Sequence, residues 1–267
     1  MSYVHGYSVR ESERLLDQSN ILEELLHNGT TFENGSVVLE AGCGIGAQTQ
    51  ILAKRSPGAR FTCVDISEES LSEAQQLIKE EKLSNVFFQK EDILAMSFSD
   101  DTFDHIFICF VLEHLELPLV ALKELKRVLK PNGSITVIEG DHGSCFWSPE
   151  TRESKDIWSS LVKAQQDLGH DPIIGRKLYP LLEQSGYQVK NVLPKWIYAD
   201  SSNPELLDGV VNRIIVPMVE SAKEQVLRYG VLQKDIWDKG LKDLSEVGMN
   251  SRGTFFYTWF KGIALKL

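Results

Sequence analysis

Residues 37–49 read VVLEAGCGIGAQT: a β-branched run, an acid, then Gly42, Gly44 and Gly46 ahead of a helical pattern. Glycines so spaced let the main chain turn sharply and approach a ligand with no Cβ in the way. Closed by Ala47 as G-x-G-x-x-A, the stretch fits the dinucleotide fingerprint, which brings pyrophosphate to a helix amino end. It fits a turn that holds S-adenosylmethionine (SAM) equally well. Asp65 ends the next apolar run, FTCVD, 21 positions after Gly44. A carboxylate there accepts hydrogen bonds from both hydroxyls of an adenosine ribose, which both ligands carry.

Two further acids separate the ligands. Glu40 stands just before the first glycine, where its charge repels pyrophosphate but suits the ammonium group and ribose of SAM. The third apolar run closes as QKEDI, so Asp92 can accept from an adenine amino group with Ile93 against the ring.

These residues need a frame. Runs rich in Val, Ile and Phe (SVVLEA, ARFTCVDI, NVFFQKED, FDHIFICFV, GSITVIEG) alternate with amphipathic stretches whose apolar residues recur at three and four spacing. That order predicts βαβ units, hence an α/β fold with a doubly wound, mostly parallel sheet that binds ligands beyond the carboxyl ends of its strands. A sixth strand is expected in QVKNVLPKWIYAD and a last one in TFFYTWFKGIALK. Helices are expected over residues 1–34 and 201–249, and a loop then a helix over 142–172. The 267 residues are read as one domain: a helical lid over 1–34, a binding core over 35–141, and acceptor-side helices with closing strands over 142–267.

The ordered set VLEAGCGIG, VDIS, EDI, DTFDHIFICFVLEHL and LKRVLKPNGSITV, spanning residues 36–139, resembles the class I SAM-dependent methyltransferases of the small-molecule type, as in quinone- and sterol-pathway enzymes. The resemblance implies a seven-stranded sheet with an antiparallel last strand, and methyl transfer from SAM to a small acceptor at O, S, N or C. It also implies that carbonyls over Cys109–Leu112 meet the methionyl part of SAM. YVHGYSVRESERLLDQ resembles the lid of some relatives, with Arg14 placed to clamp the SAM carboxylate and Tyr7 to lie near the sulfonium. The expected cofactor set is therefore Tyr7, Arg14, Glu40, Gly42, Cys43, Gly44, Asp65, Ile66, Asp92, Ile93, Cys109 and Phe110. The helical insertion before the last strand departs from the minimal fold.

Methyl transfer from a sulfonium needs alignment and exclusion of water more than a side-chain nucleophile. A base is needed only for a protonated acceptor. His142, expected just beyond the fifth strand, is the candidate, and His170 is next. Phe146, Trp147, Trp158 and Trp196 could wall an apolar pocket. Two other readings stay open: an NAD-dependent oxidoreductase, against which stand Glu40 and the lack of a Tyr-x-x-x-Lys constellation, and a catalytically silent SAM-binding module.

Composition narrows the partners. A formal charge of −10 with scattered Lys and Arg disfavours nucleic acid. No apolar run reaches membrane-span length, and the start lacks a secretory pattern, so a cytoplasmic protein with no membrane partner is expected, a homodimer being possible. Four cysteines without C-x-x-C spacing predict reduced thiols and no metal site. No D/N-P-P-Y/F/W follows the fourth strand, which points away from amino groups of nucleic-acid bases or glutamine as acceptors.

Overall fold

The computed structural model describes residues 8–267. In chain order its elements are α1 (Val9–Ile21), α2 (Glu23–His27), β1 (Val37–Ala41), α3 (Ala47–Arg55), β2 (Arg60–Asp65), α4 (Glu68–Glu80), β3 (Val86–Lys90), β4 (Phe103–Cys109), α5 (Pro118–Val128), β5 (Leu129–Ser148), α6 (Arg152–Asp167), α7 (Leu178–Gln184), β6 (Gln188–Asp200), α8 (Pro204–Asp208), α9 (Val216–Ser221), α10 (Lys223–Arg228), α11 (Lys234–Met249) and β7 (Thr254–Leu265).

Seven strands form one sheet in the order β3-β2-β1-β4-β5-β7-β6. β1 pairs in parallel with β2 and β4, β2 with β3, and β4 with β5. β7 runs antiparallel to β5: Asn132 and Gly133 exchange bonds with Lys266, while Phe146 stacks on Phe256. Sequence order reverses between β3-β2-β1 and β4, so the loops after β1 and β4 diverge there, at the position where open parallel sheets take ligands.

Local chemistry sets the helix ends. Ser67 caps α4 by accepting the Ser70 N–H at 3.2 Å. Pro118 opens α5, where its missing donor costs nothing. Thr151 and Ser154 form a reciprocal capping box at α6.

The chain forms two compact units. One comprises Glu23–Gly140, Ile174–Lys195 and Trp259–Leu267; the other comprises the residues through Leu22, Asp141–Ile173 and Trp196–Thr258. In the first, Leu39, Ile106, Ile108, Ile135 and Val137 of the sheet bury against Leu122 and Leu125 of α5. In the second, Ile157, Leu161, Trp237, Leu244 and Phe255 are fully buried, and α6 packs on α11.

One expectation is corrected. Residues 142–148 are not a loop: β5 runs on unbroken to Ser148, so His142 sits inside a strand. Polar Asp141 and His142 are buried there, which hides the apolar alternation that marks a strand.

Candidate active site

β1 ends at Ala41 and the chain turns through three left-handed glycines, Gly42 (φ +73°), Gly44 (φ +52°) and Gly46 (φ +81°). The Gly42 and Cys43 N–H groups both donate to the Val64 carbonyl, at 2.8 and 3.0 Å, pinning the loop to the end of β2. The glycines differ in purpose. A Cβ at Gly42 would stand 2.6 Å from Val111 Cγ2, and one at Gly46 would stand 3.1 Å from Ala74 Cβ, so both serve close packing. A Cβ at Gly44 would meet nothing within 4 Å. Only there does bare main chain face open space.

Asp65 braces this loop. Its Oδ2 accepts the Gly44 N–H at 2.9 Å and its Oδ1 accepts the Ser67 N–H at 2.9 Å. Burial raises its pKa, against the pull of these backbone donors. Ile66 beside it is exposed. Glu40, on β1, is buried; Cys63 Sγ donates to its Oε2 at 3.4 Å, and burial pushes its carboxyl up to about 7. Cys43 is buried in the loop, its thiol pushed up by burial and then by Glu40. At the end of β3, Asp92 is exposed and accepts the Leu94 N–H at 2.9 Å, while Ile93 is buried.

After β4, Cys109 and Phe110 are half-buried; Phe110 takes a left-handed φ of +56° and donates its N–H to the Ile138 carbonyl at 2.8 Å. The 3-10 turn that follows, Leu112–His114, is held by a residue that sequence reasoning missed. Glu139 of β5 is fully buried, and its carboxylate accepts the N–H groups of Val111, Leu112 and Glu113 at 3.1, 2.8 and 3.3 Å. Burial, then Glu113, raises its pKa well above the usual carboxylate range. The signal was an acid within a largely apolar, buried stretch of strand, ITVIE, where an unpartnered charge is not tolerated.

These groups make one constellation: a bare turn, a carboxylate at each of three neighbouring strand ends, and a fixed loop after β4. Residues 32–186 match the family model described as a methyltransferase domain. The chain belongs to that methyltransferase family. The oxidoreductase reading falls with this result. The enzyme is 30% identical over 239 residues to an uncharacterised methyltransferase of Schizosaccharomyces pombe, covering 83% of this chain and 81% of that one. It is 33% identical over 136 residues to a 2-methyl-6-phytyl-1,4-hydroquinone methyltransferase of Synechocystis, covering 48% of this chain and 42% of that one. Among solved structures, phosphoethanolamine N-methyltransferase 2 of Haemonchus contortus, holding phosphomonomethylethanolamine and S-adenosylhomocysteine, superposes with a TM-score of 0.59 at 16% identity, over 97% of this chain and 58% of that one. At that identity the likeness is one of fold. The methyltransferase uses SAM as its methyl donor. Open main chain at Gly44 beside an ionisable carboxylate suits a ligand that carries a cation and a ribose diol.

The second unit of the methyltransferase holds the remaining candidates. Arg14 is buried on α1, its guanidinium forked onto Glu11 at 2.8 and 2.6 Å and bonded to Gln18 at 2.6 Å. Tyr7 lies outside the described residues. His142 is buried, with Nδ1 2.9 Å from the Tyr257 hydroxyl, its N–H on the Pro172 carbonyl and its carbonyl taking the Trp158 indole N–H at 3.0 Å. Its Nε2 has no hydrogen-bond partner, and burial lowers its pKa to about 4. Trp158 is buried against it and Trp147 is buried edge-on to Trp158; Phe146 and Trp196 are exposed. Among the described residues no group of His, Cys, Asp or Glu is arranged for a metal, and no helix is long and apolar enough to cross a membrane.

Proposed function

We propose that this methyltransferase acts on a small apolar or aromatic molecule whose nucleophilic O, N, S or C carries a proton, with a hydroquinone as the class to test first. The observation that carries the donor's placement is Gly44, the one of the three glycines in this turn whose missing side chain opens onto space rather than onto protein. In this reading Gly42, Cys43 and Gly44 lie along SAM, Asp65 takes its ribose hydroxyls and Glu40 its ammonium. Asp92, Ile93 and Ile66 flank its adenine, and Cys109 and Phe110 its methionyl part.

When bound, SAM supplies a methyl group on a sulfonium with a neutral leaving group. The chain's own contribution is alignment, exclusion of water and a place for one proton. His142 Nε2 is that place. For this role Nδ1 carries the ring hydrogen and donates it to Tyr257, which leaves the Nε2 lone pair open. A low imidazole pKa keeps the ring neutral at working pH, and an acceptor hydroxyl becomes strongly acidic as its oxygen gains a methyl group, so a weak base suffices. The likeness to the hydroquinone methyltransferase of Synechocystis supports the hydroquinone class.

The test is incubation with methyl-labelled SAM, 2-methyl-1,4-hydroquinone and the small-molecule fraction of a cell extract, followed by mass spectrometry. Label on a small molecule is expected. Label only on protein or nucleic acid overturns the proposal, and so does SAM bound without any transfer.

A further inference from the structure

The second unit buries a polar side chain that the proposed chemistry does not use. Gln165 is fully buried on α6, and neither its Oε1 nor its Nε2 has a hydrogen-bond partner. A primary amide brings two donors and an acceptor, and folded proteins satisfy nearly all such groups when they bury them. A leucine or methionine would fill the same volume with no polar atom to leave unpaired. Gln165 therefore works against the stability of the unit that contains it.

The helix that carries Gln165 also packs on His142. Gln165 follows Trp158 and Leu161 on one helical face at i+7 and i+4, and Trp158 donates to the His142 carbonyl while its ring lies 5.4 Å from the imidazole. The segment after α6 joins the two residues from the other side: the Gln165 carbonyl accepts the His170 N–H, and the Pro172 carbonyl accepts the His142 N–H. So one helix and the segment that follows it carry the unpaired Gln165 amide and also reach His142, whose Nε2 is unpaired as well.

We propose that Gln165 is a specificity residue for the methyl acceptor, its amide pairing with a hydroxyl or carbonyl on that molecule while His142 takes the proton. The inference rests on the reading that a small acceptor is methylated. An amide discriminates by punishing absence: an acceptor lacking the matching group leaves Gln165 unpaired, whereas the right one satisfies it.

Gln165→Met and the branched Gln165→Leu test this. Three quantities are compared with wild type: the thermal midpoint of the ligand-free protein, SAM affinity by titration, and label transfer from methyl-labelled SAM into a dilution series of the extract's small-molecule fraction. We expect an unchanged or higher midpoint, unchanged SAM affinity, and a half-saturating extract concentration raised tenfold or more with the plateau rate changed less than threefold. A midpoint lowered by several degrees in both variants assigns Gln165 to packing and overturns the proposal. Transfer by either variant indistinguishable from wild type also overturns it. If wild type itself labels no small molecule, the acceptor reading fails first and this inference falls with it.

Discussion

Asp65 Oδ2 accepts the Gly44 N–H at 2.9 Å, so the acid read as a ribose ligand also fixes the glycine loop beneath it. Removal of this carboxylate therefore acts twice. Asp65→Ala is expected to weaken SAM binding by about 1–3 kcal/mol, the range for losing a charged hydrogen-bond partner. It is also expected to lower the thermal midpoint, because the Gly44 and Ser67 donors lose their acceptor. Calorimetric titration of SAM checks the first, and an Asp65→Asn variant separates the two: it keeps one acceptor oxygen, so its midpoint should recover more than its affinity. Wild-type affinity in Asp65→Ala removes the residue from the site.

Gly42 and Gly44 share a left-handed φ but should fail differently. A side chain at Gly42 collides with Val111 at 2.6 Å, whereas one at Gly44 enters open space. Gly42→Val should cost fold stability by several degrees of midpoint, since left-handed strain of about 1–2 kcal/mol adds to a steric clash. Gly44→Val carries only the strain and should stay folded, yet lose SAM binding by a hundredfold or more. Normal SAM affinity in folded Gly44→Val would show that no ligand approaches the loop.

How much of this was legible follows from how local the signals are. The strand order came from apolar runs broken by amphipathic stretches, and β6 and β7 fall where alternation placed them. The β5 extension did not show, because Asp141, which accepts from the Gly143 N–H and the Ser144 hydroxyl, reads as a polar turn although buried. The glycines were visible as a group, but which of them faces space depends on Val111 and Ala74, residues distant in the chain. Glu139 was quoted within its strand but not assigned, since its partners lie 26 to 28 positions away. Likewise the sequence offers Arg14 as a free cation, while the fold pairs it with Glu11.

Glu139→Gln tests that missed residue. The amide replaces one carboxylate oxygen with a donor that faces N–H groups, so at least one of the bonds to Val111, Leu112 and Glu113 is lost and the turn after β4 loosens. SAM affinity should fall about five- to thirtyfold, the effect of roughly 1–2 kcal/mol for leaving a buried donor unpaired. A control distinguishes this from general damage: titration with adenosine, which has no methionyl part, should change less than titration with SAM. Equal losses for both ligands would mean that Glu139 supports the sheet and not the loop.

Glu40 makes the pH dependence of donor binding a direct test of its proposed partner. Burial holds its carboxyl at about 7, against about 4.5 for a free glutamate. Between those values the folded protein binds the proton more tightly than the unfolded chain. Ligand-free stability should therefore fall as pH rises from about 4.5 to about 7, by about 3 kcal/mol in all. A bound ammonium reverses the preference, because a cation favours the ionised carboxylate. SAM binding below about pH 7 must then expel a proton from Glu40, and affinity should drop up to tenfold per pH unit on acidification from 7 to 5. In Glu40→Gln the stability slope should lose Glu40's share and the affinity slope should flatten, with midpoints near pH 8 raised relative to wild type. Calorimetry in buffers of different ionisation enthalpy counts the proton released on binding at pH 6. A wild-type count near zero there, with affinity flat from pH 5 to 8, would separate Glu40 from the ammonium group and leave it a buried acid that braces β1.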